Sequence, residues 1–93
     1  MAELADSILL ATDAIPSGQV STYGDIAKVV GCGPRLVARV LAGSGGEASW
    51  WRVVRSNGTI AEHLVDEAST RLAAEGVAVA GRVDLKLHRA ALD

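Results

Sequence analysis

The segment Gly31-Cys32-Gly33-Pro34 constrains this chain more than any other. Glycine supplies the positive φ at which helices commonly stop, and proline suits a first helical turn, where its missing N–H costs no hydrogen bond. One helix therefore ends here and another begins within a few residues. Upstream, Ser21 or Thr22 is placed as an N-cap, Asp25 falls in the first turn, and Ile26, Val29 and Val30 give an apolar side. Downstream, Pro34 opens a helix through Leu36, Val37, Val40 and Leu41 that stops at Gly43. Two short helices across a tight glycine turn read as a helix-turn-helix. Before them, Leu4, Ile8 and Thr12 recur every fourth residue in 2–13, with Glu3, Asp6 and Asp13 off that line. This predicts an amphipathic first helix, broken by Pro16-Ser17-Gly18.

Residues 43–49 read as a flexible loop. Beyond it, 51–55 predicts a short strand, Ser56-Asn57-Gly58 a tight turn and 59–61 a return strand. A hairpin in that place resembles a wing. A last helix is expected over 65–75, with Leu72 facing inward and Gly76 as its stop. The alternation of Val83, Leu85 and Leu87 predicts one more strand within 77–87. The expected fold class is thus mostly α with a small β-hairpin, a winged helix-turn-helix-like domain. Ninety-three residues make a single domain, 1–93, with one core and little surplus. An apolar share of 49% excludes a disordered chain. Phenylalanine is absent, so Tyr23, Trp50 and Trp51 stand out against an Ala, Val and Leu core.

A net charge of −2 argues against nucleic acid until its distribution is considered. Residues 28–58 carry Lys28, Arg35, Arg39, Arg52 and Arg55 against Glu47 alone, a net +4 that leaves −6 for the rest. Such segregation suits an anion-binding face on an acidic domain, whereas scattered solvated charge is the plainer account of composition alone. A single cysteine excludes an internal disulfide and gives no metal cluster, which fits a reducing cytoplasm. No signal peptide and no apolar run of the roughly 20 residues a membrane span needs is visible. No cofactor, no metal and no membrane partner are expected, and the location expected is cytoplasmic, nucleoid-associated in a bacterium.

The segments Ile15-Pro16-Ser17-Gly18, Val20-Ser21-Thr22-Tyr23-Gly24-Asp25-Ile26-Ala27, Arg52-Val53-Val54-Arg55-Ser56-Asn57-Gly58 and Glu75-Gly76-Val77 occur in one order. Together they resemble the DNA-binding domain of the O6-alkylguanine-DNA alkyltransferases over roughly residues 4–78. The reactive segment of that family reads Pro-Cys-His-Arg-Val-Val, and here Ser49-Trp50-Trp51-Arg52-Val53-Val54 stands in its place. Trp50 holds the position of the nucleophilic cysteine and Trp51 that of the activating histidine. An indole N–H is a donor only and cannot take a proton. The resemblance is therefore nearest to the alkyltransferase-like proteins, which carry tryptophan at that position. It implies a non-enzymatic sensor with no catalytic residue, which binds O6-alkylguanine in double-stranded DNA and presents it to nucleotide excision repair proteins. A monomer is the simplest expectation.

The resemblance implies a lesion pocket of Trp50, Leu41, Val53 and Tyr23, in which backbone groups of Trp50 and Val53 meet the flipped purine edge. It implies DNA contacts through Tyr23, Arg35, Ala38, Arg39 and Arg55. Tyr23 would help to swing the nucleotide out of the duplex. Arg35 would fill the vacated space, with Arg39 one turn later as the alternative. The spacing from Tyr23 to Arg35 is about two residues shorter than in the alkyltransferases, with Gly31-Cys32-Gly33 occupying the turn. Small residues such as Ala38 and Ala42 would let the helix approach a minor groove. Arg52 would brace the pocket loop internally and Arg55 would reach a phosphate. Cys32, without a neighbouring base, is expected to be structural. His63 lies near a second pocket segment with its role open, and His88 is expected on the surface. Two other readings remain at this point: an active alkyltransferase with a non-standard nucleophile, and a winged-helix regulator that reads base sequence.

Overall fold

The computed structural model describes residues 2–91. Helix α1 (Ala2–Asp13) is followed by strand β1 (Ser21–Thr22), helix α2 (Tyr23–Val30) and helix α3 (Pro34–Ala42). A single 3-10 turn (Trp50–Arg52) leads into strand β2 (Val53–Val54). A second 3-10 turn (Glu62–Leu64) leads into α4 (Val65–Ala74), and a short α5 (Leu85–His88) lies near the end.

Local chemistry explains the helix-turn-helix. Thr22 Oγ1 accepts from the Asp25 N–H at 3.0 Å while Asp25 Oδ2 accepts from the Thr22 N–H at 3.3 Å, a reciprocal capping box. Gly31 stops α2 in the left-handed region at φ 87°, and Pro34 opens α3. The start of α2 is therefore fixed by side chains, and α2 begins with Tyr23. Packing then follows in two clusters. Ile8, Ile15, Ile26, Val37, Leu41 and Val53 join α1, α2 and α3, with Cys32 half-buried against them. Val20, Val54, Leu72, Val77 and Val83 join the strands to α4 and the C-terminal segment.

The mostly helical class stands, with one small two-stranded sheet, but the expected hairpin does not form. β2 pairs in parallel with β1, Ser21 opposite Val53 and Thr22 opposite Val54. All four residues are buried, and the two apolar clusters lie on either side of the pair. Val53-Val54 thus behaves as a strand covered on both faces, for which parallel pairing is usual. The return arm is diverted. Arg55 N–H donates to Thr59 O at 2.9 Å, but the next carbonyl, that of Gly58, takes the N–H of Val83 instead. The strand expected within 77–87 is likewise absent: Asp84 Oδ1 accepts from the N–H groups of Lys86 and Leu87 and so starts α5, and Leu87 is left exposed. Capping chemistry prevails over alternation there. His88 is half-buried, and its carbonyl accepts from Val20 N–H at 2.8 Å.

A candidate nucleic-acid interface

Trp50 stands in the wall of a cavity of about 190 Å³, with Tyr23, Ala38, Leu41, Ala42, Gly45, Gly46 and Leu64 around it. That is below the roughly 300–1,000 Å³ usual for drug-sized ligands, so the space suits a small planar group such as one nucleobase. Tyr23, Ala38, Ala42 and Leu64 also line a wider groove of about 380 Å³, so the pocket opens onto it. Pro34, Arg35, Arg55, Ala61 and His63 complete that groove. An apolar chamber therefore lies behind a mouth that carries two guanidinium groups.

Most of the side chains singled out in the sequence meet here. Trp50, Leu41 and Tyr23 line the pocket, and Tyr23, Arg35, Ala38 and Arg55 line the groove. Arg35, Ala38 and Ala42 share one face of α3 by the three- and four-residue spacing of a helix. Arg39 is exposed but outside both linings. Val53 is also outside them. Its side chain is buried in the core and its N–H donates to Trp50 O within the 3-10 turn, so that donor is already engaged. Leu64, Gly45 and Gly46 escaped sequence reasoning. His63 enters the groove lining, while Cys32 lies in neither cavity.

Electrostatics follow the same division. Among the described residues Lys28, Arg35, Arg39, Arg55, Arg82 and Lys86 form no salt bridge, whereas Arg52, Arg71 and Arg89 do. The Tyr23 phenol is pushed up from its ordinary value, chiefly by burial and against the opposing charge of Arg55. It is therefore a neutral hydroxyl at physiological pH, able to donate and accept. Asp25 is held below the usual carboxylate range, first by its hydrogen bond from Arg89, so the cap beneath Tyr23 stays charged.

The 3-10 turn that carries Trp50 is held through its next two residues, Trp51 and Arg52. Glu75, at the end of α4, accepts from Arg52 Nη2 at 2.7 Å, Arg52 Nε at 3.0 Å, Trp51 Nε1 at 3.0 Å and Gly18 N–H at 3.2 Å. Arg52 Nη1 adds a bond to Ile15 O at 2.9 Å. The Arg52 and Glu75 side chains are only 15% and 12% exposed, so this is a shielded, well-satisfied pair. Arg71 stacks on the Trp51 ring, 4.5 Å from its centroid. Arg52 is thus an internal brace, and Trp51 belongs to the brace and not to the pocket.

A helix-turn-helix with an apolar chamber behind a cationic groove is the class that fold and site define. Residues 3–77 match the family of the 6-O-methylguanine DNA methyltransferase, DNA binding domain. The chain belongs to this family, as an alkyltransferase-like member. A DNA base-flipping protein of Escherichia coli (strain K12) is 43% identical over 86 residues, covering 82% of this chain and 65% of that one. The chain thus spans about two-thirds of that relative's length. A DNA base-flipping protein of Vibrio parahaemolyticus serotype O3:K6 (strain AQ3810) is 36% identical over 83 residues, covering 81% and 83%. In three dimensions the chain superposes on S. pombe Atl1, crystallised with damaged DNA containing O6-carboxymethylguanine, with a TM-score of 0.87 and 30% identity over 98% of this chain and 97% of that one. A second structure, S. pombe ATL with DNA, gives 0.76 and 32%, covering 94% and 92%.

Proposed function

We propose that this protein is a non-enzymatic sensor of O6-alkylguanine in double-stranded DNA. In this reading α3 lies along the minor groove, where Ala38 and Ala42 permit close approach, and Tyr23 and Arg35 act at the duplex. Arg35 enters the stack as the lesion swings out, and Arg39 and Arg55 hold phosphates. The extruded base comes to rest against the Trp50 ring. The observation that carries the reading is that the apolar Trp50 chamber shares Tyr23, Ala38, Ala42 and Leu64 with a groove that Arg35 and Arg55 also line.

The energetics support selection of damage. Flipping a base costs a few kcal/mol, and least for one that is poorly paired. Stacking on an aromatic ring returns about 1–3 kcal/mol. Burial of an added alkyl group contributes about 0.8 kcal/mol per CH₂, which unmodified guanine cannot gain. Transfer chemistry finds no support in the lining: Tyr23 is its one oxygen nucleophile, and burial disfavours its ionisation. A bound lesion would then be released intact, and hand-off of the bound duplex to nucleotide excision repair proteins follows as the sensor's purpose. It would act as a monomer in the compartment that holds the chromosome.

Titration of one duplex carrying guanine, O6-methylguanine or a bulkier O6 adduct tests this. Both adducts should bind at least tenfold more tightly than guanine, with no change in protein mass afterwards. Equal affinity for all three, or an alkyl adduct on the intact chain, overturns it.

A further inference from the structure

A third cavity, of about 550 Å³, lies between the 56–58 turn and residues 80–86, and Ser56, Asn57, Arg82, Asp84 and Lys86 give its polar lining. Residues 80–86 fall outside the 3–77 span that matches the family. They are nevertheless fixed firmly to the turn. Val83 is 2% exposed, its N–H donates to Gly58 O at 2.9 Å, and a methyl group on Gly58 would collide with the Val83 carbonyl. Arg82 and Lys86 on either side of Val83 are exposed and form no salt bridge among the described residues.

One oxygen each of Asp84 and Asn57 is already engaged, while the side-chain donors of Asn57, Arg82 and Lys86 have no hydrogen-bond partner among the described residues. Asp84 Oδ1 caps α5, and Asn57 Oδ1 accepts from both the N–H and the hydroxyl of Thr59. What Asn57 can still offer is its amide N–H₂, beside the Ser56 hydroxyl, a guanidinium and an ammonium, whose two positive charges outweigh the single carboxylate of Asp84. That is a donor set for an anion. Its position is equally informative, because Arg55 lines the Trp50 groove and Ser56, the next residue, lines this one. The groove lined by Arg35 and Arg55 and the one lined by Arg82 and Lys86 are thus joined through consecutive residues of the chain.

We propose that this C-terminal groove takes the phosphate backbone of the bound duplex, as a second anchor indifferent to sequence and to damage. It rests on the reading of the protein as a DNA binder and extends the footprint beyond the helix-turn-helix. Phosphate contacts fix position and orientation without carrying sequence information. The groove would hold the duplex in register while the Trp50 pocket samples bases.

The test is the double variant Arg82→Gln/Lys86→Gln, titrated with long lesion-bearing and undamaged duplexes across a range of salt. Each lost phosphate contact lowers the slope of log K against log salt by about 0.9, so the expected reduction is about 2. Affinity should fall by the same factor for both duplexes and leave their ratio unchanged. Methylphosphonate linkages that neutralise the backbone at one flank should reproduce the loss in the wild type and add nothing in the variant. A wild-type slope in the variant, or a loss confined to the lesion duplex, overturns the proposal. Failure of the sensor reading looks different: the wild type itself would show no preference for the lesion.

Discussion

Glu75→Gln is the most informative single change, because one carboxylate holds the turn that presents Trp50. The Arg52 hydrogen bonds, aided by those from Trp51 and Gly18, hold Glu75 well below its ordinary 4.5, at about 2. A gap of that size at 1.36 kcal/mol per pH unit corresponds to about 3 kcal/mol favouring the ionised native state, and the 12% of the side chain left in water trims it to about 2–3. The depressed value means that the unfolded chain binds the proton first, so this stability is fully present above pH 4.5 and is lost as pH falls towards 2. Between pH 7 and pH 3 the wild type should therefore lose about 2 kcal/mol that Glu75→Gln cannot lose. At pH 7 the variant should unfold about 2–3 kcal/mol more easily, with a Tm lower by on the order of 10 °C, since Arg52 then lies shielded without its counter-charge. Urea unfolding of both proteins at the two pH values reads this directly. Parallel losses on acidification, or a variant as stable as the wild type at pH 7, would refute the brace.

The other expectations concern α3, the turns at Gly58 and Gly31, and transfer chemistry. Arg35→Ala should weaken lesion binding at least tenfold, about 1.4 kcal/mol, while Arg39→Ala should chiefly lower the salt slope by about 0.9. Normal binding by Arg35→Ala with failure of Arg39→Ala would mean that the helix presents the other arginine. Gly58→Ala should cost more than about 2 kcal/mol, because the left-handed backbone (φ 84°) and a clash with Val83 act together. Gly31→Ala shares the backbone penalty but meets open space, and should cost about 1 kcal/mol in the same thermal melts. Trp50→Cys should leave alkylated DNA unchanged by mass spectrometry, since Trp51 supplies no base. A covalent adduct on that variant would sink the account of Trp51.

What could be read from the sequence is what neighbouring residues decide. Thr22 and Asp25 cap α2, Gly31 ends it and Pro34 opens α3, each through contacts within four residues. The placing of Tyr23 with Trp50 in the pocket, and of Tyr23 with Arg35 in the adjoining groove, followed from the family resemblance carried by those segments. The missed features depend on distant partners. Ser21 meets Val53 across the parallel pair, and Glu75 reaches Gly18 and Arg52 from the far end of α4. No local pattern announces such pairings. Leu64 joins the pocket only because a 3-10 turn precedes α4. Asp84 is a different matter, since an aspartate before Leu85-Lys86 is an N-cap signal that the valine–leucine alternation obscured.

A second local misreading, of 51–52 as strand, bears on how the pocket stays apolar. Had the strand expected over 51–55 extended back through Trp50, alternation would have placed the Trp50 and Arg52 side chains on the same face, and a guanidinium would have entered the chamber. A 3-10 turn advances about 120° per residue, so three successive side chains leave in three directions. The rings of Trp50 and Trp51 accordingly stand at 90° with centroids 6.1 Å apart. One closes the pocket while the other, with Arg52, is drawn back to Glu75. A charge inside the chamber would have favoured polar, unmodified guanine over its alkylated form. The tight turn, and the carboxylate that holds it, are therefore the physical basis of the discrimination proposed for this site.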